Sequence, residues 1–346
     1  MKNRNLKILV LVVAALFAMT LAVGCFGGND PAPGPDAGNG GDAVQTTTLT
    51  AGTTLDPTHP YNRGMEYFSN LLYERTDGRF NIQIFHSAQL GSERELIEGI
   101  QMGTVDVTVV STAPLMGFSE AYMVTDLPFI FEDREHAYRV LDGPIGQDML
   151  DQLAQVSIKG LANWENGFRH ITNSVRPING PADLNGLTIR TMENQIHMDS
   201  FLEIGADPVP MAFGELFTAL QQGTVSGQEN PLANIYTSRF YEVQGYLALT
   251  GHFYSPAPLL MSLTLWNSLS AEDQAIFQQA AIEARDAQRQ MVYDMEQVLV
   301  GDLEAAGMQV SRPSVADFQE AMAPVYEAWS ERIGSDLIEQ VRALAN

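Results

Sequence analysis

Six histidines, His59, His86, His136, His170, His197 and His252, are scattered through the 346 residues, and no two share the spacing that sets a pair of metal ligands on one helix face. Each reads as a structural or surface imidazole before it reads as a ligand. No glycine-rich phosphate loop with a lysine, no nucleophile elbow and no trio of spaced glycines after a strand occurs, so nucleotide chemistry and serine hydrolysis lack their usual carriers. Carboxylates are too many for any two to be singled out as an acid–base pair. What remains is anion recognition. Beyond the first 24 residues there is one lysine, Lys159, against fifteen arginines, so an anion would be met by guanidinium groups.

Such groups need a scaffold, and from Val44 onward short β-branched runs alternate with helical periodicity. Residues 46–51, 80–85 and 105–110 read as strands, with helices at 61–75 and 93–102 between them. A second unit begins near Ile171, with strands at 187–190, 208–211 and 225–228 and helices at 195–203 and 213–222. Residues 247–250 and 259–264 read as strands leading back, before a helical stretch from 271 to about 303. Strand, helix, strand in this order means an α/β fold with parallel sheets. A helix of some 30 residues spans about 45 Å, enough to lie across two domains.

Composition narrows the class further. With 45% hydrophobic and 18% charged residues the chain is globular, and its length suits two domains. Past residue 24, 16 basic side chains face 42 acidic ones, a balance of −26 that repels nucleic acid and anionic lipid head groups. The N-terminus is a targeting segment. Lys2, Arg4 and Lys7 precede a sixteen-residue apolar run, residues 8–23, too short to span a bilayer comfortably. The sole cysteine, Cys25, follows Leu21-Ala22-Val23-Gly24 and resembles a bacterial lipobox, so residues 1–24 are expected to be a signal peptide and Cys25 the lipid anchor of an exported protein. An incidental thiol beside an ordinary cleavage site is the alternative. Residues 25–43, rich in Gly and Pro, read as a flexible spacer.

Four stretches stand out together: Asn166-Gly167-Phe168-Arg169-His170; residues 184–194, with Leu187-Thr188-Ile189-Arg190-Thr191; residues 205–213, with Pro210-Met211-Ala212-Phe213; and residues 219–231, ending Gly227-Gln228-Glu229-Asn230-Pro231. In this order they closely resemble the solute-binding subunits of tripartite ATP-independent periplasmic (TRAP) transporters of the DctP type. Gln89-Leu90-Gly91-Ser92-Glu93-Arg94, Leu127-Pro128-Phe129 and Phe240-Tyr241-Glu242-Val243 support the resemblance, which covers nearly all of the chain from Val44.

The resemblance implies a two-domain periplasmic-binding-protein-like fold with a central cleft, crossover strands and a long helix across both domains. Domain I would comprise residues 44–167 plus about 256–295, and domain II residues 168–255 plus about 296–346. It also implies a site. Arg190 ends a strand, and ligands of α/β sheets lie beyond the carboxyl ends of strands; in the family the matching arginine forks onto the solute's carboxylate. An ion pair with Glu193 or Asp199 is its alternative. Arg169 corresponds to a second cation of the cleft, or makes an interdomain salt bridge. Asn230, read as opening a helix before Pro231, corresponds to a ligand-contacting amide; Phe213 to an aromatic packed on the solute, or to plain core. Glu93, Ser111 and Thr112 fall where members place polar contacts that vary with the solute, and His59 is a similar candidate. One departure is Ser226, where members often carry Asp before Gly-Gln-Glu-Asn.

The expected protein is therefore a monomeric, exported, lipid-anchored binding subunit. It would capture a carboxylate (a C4-dicarboxylate, a hexuronate or other sugar acid, a sialic-acid-like or an aromatic acid) and pass it to the small and large permease subunits. No catalysis, cofactor, metal or nucleic acid is expected. A ligand sensor or an enzyme acting on a small organic anion is the alternative.

Overall fold

The computed structural model describes residues 45–345. The expected signal peptide, the Cys25 anchor and the whole of the spacer lie outside them. The chain begins with β1 (Thr47–Gly52), α1 (Pro60–Arg75), β2 (Phe80–Phe85), α2 (Glu93–Met102) and β3 (Val107–Val109), with β1 parallel to both β2 and β3. Local chemistry sets these boundaries. Pro60 occupies the first turn of α1 while the His59 ring caps the Tyr61 amide; Ser92 and Glu95 form a reciprocal capping box on α2; and Gly103 stops α2 in a left-handed conformation, φ 71°.

After two 3₁₀ turns come α3 (Arg134–Leu141) and α4 (Pro144–Gln152), and then β4 (Ile158–Asn173), a 16-residue strand. The second unit follows: β5 (Thr188–Thr191), α5 (Gln195–Glu203), β6 (Asp207–Pro210), α6 (Phe213–Gln221), β7 (Gly227–Pro231) and α7 (Leu232–Thr237), with β5 parallel to β6 and β7. The 17-residue β8 (Tyr246–Ser262) returns antiparallel to β4 along nearly its whole length. After it come α8 (Leu263–Ser268), α9 (Ala271–Ala305), β9 (Gln309–Ser311), α10 (Val315–Ile333) and α11 (Ser335–Ala343).

The strand order is β2-β1-β3-β8-β4-β7-β5-β6, with β9 parallel to the early part of β8. This is a mixed α/β fold in which two parallel units flank one long antiparallel pair. β3 joins that pair at Leu259–Met261, whereas β7 joins it at Arg169–Asn173, so each unit grips a different end of the same two strands. Between these ends the β4–β8 register slips beside Glu165/Gly167 and again beside Arg169/Ile171, and Gly167 takes φ 124°, closed to other residues without strain.

Helix α9 crosses both units: Phe277, Ala280, Ala281 and Ala284 fill the core under α1 and β1, while Leu299 and Leu303 fill a separate core with Leu216, Leu220 and Leu247. At about 1.5 Å per residue its 35 residues span about 50 Å. The fold corrects three expectations. The runs near 247 and 259 belong to one continuous strand. The second unit is entered through a strand beginning at Ile158, well before Ile171. Asn230 lies inside strand β7, and α7 starts only after Pro231.

Candidate functional site

Strand β7 runs between β4 and β5, so it brings together side chains far apart in sequence: His170 on β4 pairs with Asn230, and Arg190 on β5 pairs with Gln228. Two arginines point into the region where these strands end, and the structure treats them differently. Arg169, fully buried, donates Nε–H to Glu229 Oε2 at 2.5 Å and Nη2–H to Glu229 Oε1 at 2.8 Å, with further bonds from Nη2 to the Glu229 carbonyl and to Asn230 Oδ1. His252 Nε2 lies 3.2 Å from the same carboxylate. Burial alone would raise the Glu229 pKa, but Arg169 above all, helped by His252, holds it well below the usual carboxylate range.

Arg190 is 2% exposed and has no carboxylate partner. Its Nε and Nη2 both donate to the carbonyl of Met211, at 2.9 and 2.6 Å, and Nη1 is a buried donor with nothing to donate to. Nη1 and the second hydrogen of Nη2 form the free end of the guanidinium fork. Burial brings the Arg190 pKa down to about 10, with Glu229 working against that shift and Arg169 adding to it; the group stays protonated at neutral pH. A buried cation with half its donors unused is a site for an anion. The Phe213 ring lies 6.0 Å from the guanidinium carbon and packs against both the α1 and the α6 cores.

The first unit supplies the opposite wall. Glu93, partly exposed at the start of α2, accepts the Ser111 amide at 2.7 Å. Desolvation raises its pKa, while Ser111 and then the charges of Arg190 and Arg169 oppose the rise, which places Glu93 in the field of both guanidiniums. Ser111 Oγ accepts from Asn166 Nδ2 at 3.2 Å. The Tyr61 hydroxyl and Asn166 Oδ1 are buried polar atoms without partners, like Nη1 of Arg169 and of Arg190. Orphans of this kind are uncommon in folded interiors, and four of them here mark a polar enclosure.

His59 has both ring nitrogens engaged: Nδ1 accepts the Tyr61 amide at 3.1 Å, so Nε2 carries the proton and donates to Asn234 Oδ1 at 2.9 Å. Burial lowers its pKa to about 4. Asn234 in turn donates to Asn230 Oδ1, and Asn230 donates to Gln228 Oε1. His59 therefore steadies Asn230 through Asn234 and has no ring nitrogen left for a solute. Thr112 turns away, donating to Asp126 Oδ1 at 3.4 Å, while Asn194 from the second unit donates to Oδ2 of the same carboxylate. The structure thus gathers Arg190, Arg169, Asn230, Phe213, Glu93 and Ser111, with His59 linked to Asn230 through Asn234 and Thr112 engaged with Asp126 instead. Sequence reasoning missed Tyr61, Glu229 and His252: Tyr61 reads as an apolar helix face, and Glu229 is 60 residues from its partner.

A separate surface cavity of about 400 Å³ opens between α3 and α9, lined by Arg134, Tyr138, Arg289 and Tyr293 among others. Its arginines are already paired, Arg134 with Glu165 and Glu296 and Arg289 with Asp142, so it offers no uncommitted cation.

The chain is similar to known proteins along nearly the whole of its described length. A family model described as bacterial extracellular solute-binding protein, family 7 (DctP), matches residues 51–332. A TRAP periplasmic solute-binding protein from Polaromonas sp. JS666, solved bound to D-erythronate, is 45% identical with a TM-score of 0.85, covering 86% of this chain and 98% of that one. A sugar-acid-binding protein from Advenella mimigardefordensis in complex with galactonate is 35% identical, TM-score 0.85, covering 88% and 99%. A TRAP periplasmic solute-binding protein from Sulfurospirillum deleyianum with bound succinate is 30% identical, TM-score 0.82, covering 86% and 98%.

Proposed function

The chain belongs to family 7 of the bacterial extracellular solute-binding proteins, the DctP-type binding subunits of TRAP transporters, and from that membership we propose how it holds its solute: the carboxylate of an organic acid docks end-on to the free fork of Arg190. The observation that carries this reading is the Arg190 guanidinium, charged, buried and without a carboxylate of its own. A planar, two-pronged pairing supplies the missing acceptors and the missing charge together. Phe213 covers the solute from one side, Asn230 and Arg169 flank it, and Glu93 and Ser111 meet it from the first unit.

Residues 44–167 plus about 256–295 act as one lobe and residues 168–255 plus about 296–346 as the other, flexing where β4 and β8 slip register around Gly167. The protein binds and releases without turnover, as a monomer, tethered at the extracytoplasmic face of the cell membrane by a lipid on Cys25, and hands the acid to the permease subunits.

A thermal-unfolding screen tests the reading. Organic acids should raise the melting temperature, a ligand at 100 times its Kd adding about 2.7 kcal/mol, whereas the corresponding polyols and amides should not. Equal shifts from the neutral analogues would refute a carboxylate clamp.

A further inference from the structure

Buried polar side chains form one continuous hydrogen-bonded row from the start of α1 to the start of β8. The backbone amide of Tyr61 donates to His59 Nδ1, and His59 Nε2 donates to Asn234 Oδ1. Asn234 Nδ2 donates to Asn230 Oδ1, Asn230 Nδ2 to Gln228 Oε1, and Gln228 Nε2 to Thr172 Oγ1 at 2.8 Å. The Thr172 hydroxyl then donates to Gln244 Oε1 at 3.1 Å, and Gln244 Nε2 ends the row on the carbonyls of Val243 and Ser226. His59, Asn234, Asn230, Gln228, Thr172 and Gln244 are each no more than 3% exposed, so bulk water does not stand in for a lost partner.

Every donor in the row points the same way, and both ends are backbone groups whose roles cannot change. The amide N–H at one end only donates; the carbonyls at the other only accept. Turning over any one of Asn234, Asn230 or Gln228 would set donor against donor or acceptor against acceptor along the row, at the full cost of unmade buried bonds. Both lone pairs of Asn230 Oδ1 are taken, by Asn234 and by Arg169 at 3.2 Å each, so what Asn230 has left for a solute is the second hydrogen of Nδ2. Arg169 alone holds that orientation weakly: its Nη2 has two hydrogens for three acceptors, and the two on Glu229 lie nearer, at 2.7 and 2.8 Å.

We propose that this row sets the polarity of Asn230: His59, Asn234, Gln228, Thr172 and Gln244 are positioning residues that keep its amide turned with N–H, not C=O, toward the bound anion. The inference rests on the carboxylate reading above and adds the residues that orient one of its contacts from behind. A reversed Asn230 would put a carbonyl in front of an anion and repel it. His59 belongs to the first unit and the other five to the second, so the polarity of a contact in one lobe is set partly from the other.

Thr172, separated from Asn230 by Gln228, gives the test. Thr172→Val keeps the shape and removes the hydroxyl, whereas Thr172→Ser keeps the hydroxyl. The probe is the tightest binder from a panel of straight-chain aldonates and dicarboxylates of four to six carbons. In titration calorimetry Thr172→Val should bind it at least about tenfold more weakly than wild type, and Thr172→Ser within about threefold. A role in folding alone would lower the unfolding midpoint and leave Kd unchanged. Thr172→Val within about threefold of wild type, or Thr172→Val and Thr172→Ser equally weak, would overturn the positioning row while Arg190 keeps its anion. If Arg190→Ala still binds the probe like wild type, the carboxylate reading itself fails and this inference falls with it. Should Thr172→Val not fold, the wild type decides: proton–nitrogen correlation on ¹⁵N-histidine-labelled protein at neutral pH should find His59 Nδ1 bare and Nε2 protonated. A proton on Nδ1 would reverse the first link and overturn the proposal.

Discussion

Arg169 and Glu229 are locked together, guanidinium to carboxylate at 2.5 and 2.8 Å with both side chains closed to solvent, while Arg190, two strands away on the other side of β7, has only a carbonyl for company. The two arginines therefore do different work. One braces the centre of the sheet, and the other is kept free for an anion.

That difference predicts opposite signatures on mutation. Arg169→Ala leaves Glu229 buried and unpaired and should cost about 3–5 kcal/mol of folding stability as well as affinity. Combining Arg169→Met with Glu229→Gln should recover most of that stability without recovering binding. Urea unfolding followed by circular dichroism reads both; an Arg169→Ala protein within about 1 kcal/mol of wild type would contradict the brace.

Acid should destabilise the protein through its buried histidines. Burial lowers His59 to about 4 and His170 to about 3, the latter helped by the charges of His252 and Arg169, and it lowers His252 as well. Each folded pKa lies below the unfolded value of about 6.5, so between these values the unfolded chain binds more protons. The stability is fully present above about pH 6.5 and is lost as pH falls toward 4, by up to about 1.4 kcal/mol per pH unit for each histidine. His59→Asn keeps a helix-capping side chain and should flatten the slope by one such increment. An unchanged slope in that variant would show that His59 does not titrate in this window.

Closure of the lobes has its own signature. Asn194 of the second unit donates to Asp126 Oδ2 at 2.7 Å and to the Ala113 carbonyl at 3.1 Å in the first, bonds that exist only while the two units are together. Saturating ligand should reduce the radius of gyration in solution scattering, and Asn194→Ala should weaken binding roughly tenfold, the worth of about one charge-assisted hydrogen bond. Identical scattering with and without ligand would rule out hinged closure.

The proposed tether is tested outside the fold. Cys25→Ala should abolish lipid attachment and release soluble or unprocessed protein. Recovery of that variant processed and membrane-bound like wild type would exclude Cys25 as the anchor.

Most regular elements were legible because their cores are local. Strand β2 and helices α2 and α5 begin and end where periodicity and caps place them, since Ser92, Asn194 and Gly103 carry their signals within a few residues. Strand β4 was not. It is buried on nearly every side chain, so it shows no alternation, and it carries Glu165, Asn166 and Arg169, which bond to Gln288 on α9, Ser255 on β8 and Glu229 on β7, 123, 89 and 60 residues away. Strand β8 reads as two because Pro256 and Pro258 interrupt it; they are tolerated where β3 has not yet joined, its pairing being confined to Leu259–Met261. Within the site Arg190 is visible as a cation at a strand end, whereas the neutralisation of Arg169 depends on a fold-made neighbour that no spacing announces.

The most direct test of the carboxylate clamp is calorimetric titration of Arg190→Ala and Arg190→Lys with the tightest acid found for the wild type. Removing the fork in a closed cleft should cost about 2–5 kcal/mol, roughly thirtyfold to several thousandfold in Kd. Arg190→Lys should fail nearly as badly, because a point charge cannot present two parallel donors. Arg190→Ala has no buried carboxylate to orphan, so it should leave unfolding free energy within about 1 kcal/mol of wild type. If Arg190→Ala instead binds the acid within about threefold of wild type, the carboxylate does not sit on Arg190 and the clamp is refuted.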